Sequence, residues 1–543
     1  SLTKWLLESS VDFDFVCESL LPDLCNEAGA PLKVGEMAYD TIIVPGCETL
    51  RSSTLERLEK FREAGGRVIF MGACPSYIDC ESSERIEALY DACERVPFEK
   101  FAIVDALDEN RKISIINDKG IHTDNYVHQL RRDGGDLWFF VANGKFEPWT
   151  QNKANTYGDV DVTLPRKLTF RVKGAWAPKL YDTVTGEIKD ISYEIKNGYT
   201  TFTRVAHLHD SFLFKLEKTR VKSNTVAEIA YKTIGMQDFR HRVDYEREEP
   251  NVLLLDIAEW KWDDEEEYRP REEIRRLDAM LRRGAGIERK SGKQPWCLEP
   301  EIPTHTSTLK FTFDSEIELP SAEFACEDMD IAEIYLDGKR IEKNITGYFT
   351  DESIGKTLLP KIGVGSHAIE LKLPLAPRTY TENCFLLGEF GVKLEGIDAT
   401  LIAPQKKLGF GSVTTQGMPF YGGNVVYKTE IDVPEGADAI RIHAPHYKGA
   451  LISVKLDGEC VGKIVYQPYD LTVTAVAAGK HTLEFTLFGN RHNSFGPLHN
   501  RDNGLRWYGP SAWGTRDDAF SYEHNLKQMG ILRSPEVFFL KKK

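Results

Sequence analysis

The feature that most constrains this chain is a repeat in its second half. Ile334-Tyr-Leu-Asp-Gly-Lys339 is matched by Val454-Lys-Leu-Asp-Gly-Glu459, and Gly365-Ser-His-Ala-Ile-Glu-Leu371 by Gly479-Lys-His-Thr-Leu-Glu-Phe485. Each copy runs strand, Asp-Gly turn, middle section, then Gly-x-His leading into an alternating strand. Asp-Gly between alternating residues is a hairpin signal. A sheet with one apolar face must bury it against a second layer, so two copies in succession predict two successive β-sandwiches. Chance likeness between all-β segments is the competing reading.

The rest of the chain divides around that repeat. At 543 residues it is too long for a single core, and usual domain sizes suggest about three to five. Residues 1–105 read as α/β. Tyr39-Asp-Thr-Ile-Ile-Val-Pro45 has the apolar, β-branched character of a buried parallel strand. Ser53-Thr54 can cap a helix that carries Leu55, Leu58 and Phe61 on one face and ends at Gly65-Gly66. Arg67-Val-Ile-Phe-Met-Gly72 supplies the next strand, completing a right-handed crossover unit. Residues 106–218 change to short alternating strands with turn signals at Asn143-Gly144, Asn197-Gly198 and Tyr181–Glu187, the pattern of a β-sandwich. Residues 219–300 read as a mixed connector packed on the next domain. It holds a strand, Asn251–Asp256, and a charged helix from Asp263 to Arg283 with Ile274, Leu277 and Leu281 on one face. Its acidic run Asp263–Glu267 suits a helix start favoured by the helix dipole. The two repeat sandwiches then occupy 301–405 and 406–543. The fold class is therefore multidomain, with an α/β domain ahead of mainly-β sandwiches.

Composition closes off some functions. The hydrophobic share is 41%, the charged share 28% and the formal net charge −15, which is ordinary for a globular protein and poor for nucleic-acid binding. The charge also disfavours direct binding of an anionic polysaccharide without a bridging cation. There is no run of eighteen apolar residues to span a membrane. The ten cysteines show no CxxC pair, so structural zinc has no support and no metal site is expected, and buried free thiols in a reducing compartment are favoured over disulfides. The sequence opens on Ser1 without a signal-peptide pattern. We therefore expect a cytoplasmic fragment of a longer protein.

The final sixty or so residues concentrate candidate binding groups. Trp507, Tyr508 and Trp513 stand among Asn, His, Arg and Gly-Pro turns, close to Asn490 and His499, while Tyr421 and Asn424 lie near the start of the same domain. Aromatic rings offer an apolar face to a sugar's C–H patch, and planar polar side chains serve its hydroxyls. These seven residues form the candidate carbohydrate site. Closing the end of a sandwich is the competing role for the same aromatics.

The combination Met418-Pro-Phe-Tyr-Gly-Gly-Asn-Val-Val-Tyr427, Asn490–His499 and Trp507–Trp513 resembles the C-terminal region of bacterial alpha-L-rhamnosidase-type glycoside hydrolases. The repeat halves resemble the galactose-binding-like jelly rolls of such enzymes, and Gly347–Asp351 and Phe385–Phe390 are similar to signatures of the preceding domain. Tyr39–Pro45 with the Leu-x-x-Phe run and Gly65-Gly66 is similar to a flavodoxin-like domain that follows their catalytic barrel. The resemblance implies an accessory part of an enzyme acting on plant or host glycans. Residues 1–105 are too few for a barrel of about 250 residues, so it also implies catalytic carboxylates upstream of Ser1. The partners implied are carbohydrate and the chain's own catalytic domain, with no cofactor. A stand-alone carbohydrate-binding protein is the alternative.

Other chemistry is weaker. Glu259, beside Trp260 and Trp262, is the most suggestive lone carboxylate because the aromatics could desolvate it; a solvent-facing Glu on a sandwich-edge strand is the competing reading. Cys74 in Met71-Gly-Ala-Cys-Pro-Ser76 sits where a nucleophile elbow would place it. However, Ser76 replaces the last glycine of the class I amidotransferase pattern, and no His-x-Glu partner follows. His207 and His209 alternate on one strand and are poor evidence of a metal site, and the same holds for His492 and His499 as metal ligands.

Overall fold

The computed structural model describes residues 1–144, 165–207, 210–227, 229–288, 302–379, 381–501 and 517–543. The chain divides into two compact units, one within residues 1–228 and one from Ile229 to Lys543. In the first, strands Thr41–Pro45, Arg67–Met71 and Glu94–Val96 form a parallel sheet in that order. The intervening helix, Ser52–Glu63, buries Leu55, Leu58 and Phe61 as expected of its spacing. Its N-cap is Arg51 rather than Ser53 or Thr54, and the Arg51 N–H donates to the Glu18 carboxylate at 2.8 Å. It ends as expected, with Gly65 at φ +92° and the Gly66 N–H returning to the Phe61 carbonyl.

Next in the same unit are two five-stranded antiparallel sheets, built from strands between Ile113 and Asn224. Their faces bury Phe139, Phe170, Phe202 and Phe214 completely or nearly so, each contributing about 2–3 kcal/mol. Asn197 and Gly198 both adopt positive φ, which joins Tyr193–Lys196 to Tyr199–Ala206 through a two-residue hairpin turn. The residues after Gly144 lie outside the described residues, so the expected Asn143-Gly144 hairpin does too.

The second unit contains two more sandwiches, and the repeat holds at the level of register. Strand Glu333–Leu336 pairs with Gly365–Leu375, and Ile452–Leu456 pairs with Gly479–Leu487. Ile334 lies opposite Leu371, and Val454 opposite Phe485, which are equivalent residues of the two copies. The Asp-Gly turns are clasped alike. Asp337 and Asp457 both sit at φ +50°. The carboxylate of Asp337 takes the Ala368 N–H at 2.9 Å and faces His367 Nδ1 at 2.8 Å. That of Asp457 takes the Thr482 N–H at 2.8 Å and faces His481 Nδ1 at 2.6 Å. The histidine of Gly-x-His is thus a turn clasp, which explains why it travels with Asp-Gly.

A third clasp lies inside the 219–300 stretch. Asp263, at φ +51°, takes the Thr306 N–H at 2.8 Å and faces His305 Nδ1 at 2.7 Å. A left-handed residue committed to a turn cannot start a helix, so the charged helix runs over Ile274–Ala285 and not from Asp263. Other parts of that stretch are shared between the sandwiches. Asn251–Leu255 pairs with Cys384–Gly388, while Tyr231–Gln237 and Asp244–Arg247 join sheets of the last sandwich. No described helix is long and apolar enough to cross a membrane.

Candidate functional site

Strands Val425–Val433 and Gly479–Leu487 pair with Val425 opposite Leu487, so the segment entering the first and the segment leaving the second meet at one end of this strand pair. This brings Tyr421, Asn424 and Asn490 together. The approach is close enough to demand glycine: a Cβ on Gly489 would lie 2.3 Å from the Gly423 carbonyl oxygen. Tyr421 is fully buried, and its hydroxyl donates to the Asn424 carbonyl at 2.7 Å. Burial pushes its pKa up to about 12. It holds the turn and presents no ring to solvent.

Asn424 bridges outward. Its amide nitrogen donates to Glu248 at 2.8 Å and its amide oxygen accepts the Gly489 N–H at 3.2 Å. Beside it, Arg491 grips Glu249 through both terminal nitrogens at 2.7 and 2.5 Å. Asn490 is exposed, with its side-chain oxygen accepting the His492 N–H. The result is a partly exposed shelf of Glu248, Glu249, Asn424, Asn490 and Arg491, whose planar donors and acceptors suit a polyhydroxylated ligand. Trp507, Tyr508 and Trp513 lie outside the described residues.

His499 is turned away from this shelf and buried. Its Nε2 lies 3.0 Å from Asp256 Oδ2, and its Nδ1 lies 2.8 Å from the Ser521 carbonyl oxygen. His524 Nε2 lies 3.0 Å from the other Asp256 oxygen. Asp256 follows the fully buried strand Asn251–Leu255, which carries it into the core. Burial works to raise its pKa, but His524 and His499 outweigh that and hold the carboxyl far below the usual range. Burial opposes charge on His499, and the hydrogen bond to Asp256 overcomes it, raising the His499 pKa. Glu273, whose pKa burial raises, caps the helix by accepting the Arg275 and Arg276 N–H groups at 3.2 and 2.8 Å. Phe420 sets an edge against His524, and Phe520 covers His499. Asp256, His524 and Glu273 were not singled out as site residues from sequence. Phe520-Ser-Tyr-Glu-His524 offered a composition signal for His524 alone, and nothing comparable marks Asp256 or Glu273.

The remaining sequence candidates have local roles. Glu259 pairs with Lys310 at 3.0 Å. The Cys74 thiol donates to the Pro75 carbonyl, and burial raises its pKa, away from what a nucleophile needs. The His207 N–H donates to Asp210 at 2.7 Å, and His209 lies outside the described residues.

No family model matches the chain, and neither does any curated protein. Among solved structures, it is similar to a rhamnosidase from Novosphingobium sp. PP1Y, with 12% identity and a TM-score of 0.48 over 97% of this chain and 36% of that one. It is also similar to alpha-L-fucosidase isoenzyme 2 from Paenibacillus thiaminolyticus, at 11% identity and TM-score 0.24 over 40% and 44% of the two chains. For the Streptomyces avermitilis alpha-L-rhamnosidase complexed with L-rhamnose the figures are 10% and 0.22 over 60% and 35%. The chain thus spans about a third of the Novosphingobium rhamnosidase, 36% of its length.

Proposed function

We propose that this chain is an accessory, sandwich-built part of a glycoside hydrolase acting on plant or host glycans, with the hydrolytic carboxylates carried by a separate domain. In this reading the α/β start is a flavodoxin-like scaffold, and the last two sandwiches are galactose-binding-like jelly rolls. The observation that carries it is the polar shelf. Met418–Tyr427 and Asn490–His499, two of the segments on which the resemblance rests, meet there and offer Asn424, Asn490, Glu248 and Arg491 to a ligand. The free thiols of the described cysteines support a reducing compartment, the cytoplasm.

The test is titration of the purified chain against a panel of plant glycans, alongside assay of aryl-glycosides. Weak glycan binding, reduced by Asn490→Ala and by Trp513→Ala, with no turnover, is the expected outcome. Silence across the panel would remove the shelf as a sugar site. Hydrolysis that copurifies with the chain through successive columns would overturn the accessory role.

A further inference from the structure

We propose that Asp256, His499 and His524 form a structural site for a divalent transition-metal ion of the zinc class. Their ligand atoms lie within 4.8 Å of one another, and Asp256 faces each imidazole Nε2 at 3.0 Å. Tetrahedral zinc with bonds of about 2.0–2.2 Å separates its ligand atoms by about 3.4 Å. The two Asp256–imidazole distances would therefore open by ~0.4 Å to admit the ion, while the widest separation in the cluster, up to 4.8 Å, would close around it. Two imidazoles and a carboxylate suit zinc and its first-row neighbours, whereas calcium and magnesium take oxygen donors.

Both rings are oriented for ligation. The Nδ1 of His499 lies 2.8 Å from the Ser521 carbonyl oxygen, to which it donates, and its Nε2–H donates to Asp256 at 3.0 Å, so Nε2 is the nitrogen an ion would take over. This outer bond to a carbonyl is the one that fixes metal-binding histidines. The Nδ1 of His524 is buried without a hydrogen-bond partner, and its Nε2 converges on the same carboxylate. On binding, the ion takes the place of the Nε2 hydrogens, which leave to solvent as protons.

The site is buried, with Asp256 3% and His499 7% exposed, and its three protein ligands leave the fourth tetrahedral position to a water. Its work would be mechanical. Asp256 leaves a core strand, and His499 and His524 flank residues 500–523, so an ion would pin both ends of that segment to the sandwich.

The experiment uses the full chain, dialysed against EDTA and titrated with Zn²⁺ alone. One equivalent should bind and raise the thermal midpoint. In His524→Gln the side-chain amide can still donate to Asp256 but ligates poorly. Loss of a ligand should cost more than loss of an outer-shell partner, so affinity should fall by at least about 100-fold. Equal binding by His524→Gln, or no stoichiometric zinc in the wild-type chain, overturns the proposal. Should the variant fail to fold, Co²⁺ loading of the wild-type protein decides. The intense visible absorption of tetrahedral cobalt supports the site, and a pale octahedral spectrum refutes it.

Discussion

Helix Ile274–Ala285 is anchored by a buried ion pair whose removal has a calculable cost. Asp278 and Arg282, 3% and 4% exposed, are one turn apart, and Arg282 Nε lies 2.9 Å from both carboxylate oxygens. The same guanidinium donates to the Ala376 carbonyl at 2.9 Å and to the Thr379 carbonyl, tying the helix to the loop beyond strand Gly365–Leu375. Replacing Asp278 by Ala strands a cation in the core, a loss of about 3–5 kcal/mol. The two carbonyls stay bonded to it, so we expect the lower end of that range. Asp278→Asn keeps one acceptor and should cost about 1.5–3 kcal/mol, the worth of a charged hydrogen bond. The double change Asp278→Leu with Arg282→Met removes both charges but orphans the Ala376 and Thr379 carbonyls, at about 1–3 kcal/mol each. That double variant should cost less than the sum of its single changes, with a coupling of about 2–3 kcal/mol. Because the chain has two units, a global unfolding midpoint mixes their contributions. Hydrogen exchange of peptides covering 274–285 reads this helix alone, and ~3 kcal/mol corresponds to roughly 150-fold faster exchange. An Asp278→Ala helix that exchanges less than tenfold faster, or additive losses in the double variant, would refute the reasoning.

Three further outcomes follow from neighbouring contacts. The His481 hydrogen bond holds the Asp457 pKa down, and Asp457 holds that of His481 up. The aspartate's contribution is thus present above about pH 4 and lost as pH falls through its depressed pKa. The histidine's is present below about pH 6.5 and lost as pH rises through its raised pKa. The urea midpoint difference between wild type and Asp457→Asn should therefore peak near pH 5 and shrink above pH 7; a flat difference from pH 5 to 8 contradicts the clasp. Gly489→Ala should destabilise by about 1–3 kcal/mol in denaturant titration, since a Cβ there meets the Gly423 carbonyl oxygen at 2.3 Å; a neutral result would show that this end of the strand pair relaxes. Iodoacetamide at neutral pH should modify exposed Cys17, whose thiol pKa is lowered by Ser19, before Cys74, whose pKa burial raises. Peptide mass spectrometry that finds Cys74 first would reopen a nucleophilic role for it.

The repeat was legible in sequence because a hairpin is local. Asp-Gly marks a left-handed turn, and the clasping histidine follows at a recognisable Gly-x-His. The third clasp escaped because Pro303, not glycine, stands two residues before His305, and because Asp263 heads an acidic run that looks like a helix start. The helix Ser52–Glu63 was readable from its buried face, but its cap was not, since the Glu18 carboxylate comes from a distant segment. The same limit hid most of the buried cluster. Asp256 is 243 residues from His499 and 268 from His524, and no spacing rule links them. Tyr421 drew notice as an aromatic beside Asn and Gly. Sequence could not tell a ring that faces a ligand from one that holds a turn.

The pairing of strand Glu536–Lys542 has a consequence for how the protein is made. It lies between Tyr231–Gln237 and Ala439–His443 in the last sandwich. The Phe239 N–H reaches the Ser534 hydroxyl across 295 residues of sequence. During synthesis, residues 231–237 and 439–443 emerge long before their shared neighbour, and until it arrives each presents an unsatisfied strand edge. Such edges invite pairing with other chains, and closure over so long a loop is slow. This sandwich thus cannot close until residues 536–542 have emerged, and the interval before they do is when a chaperone would matter most to it.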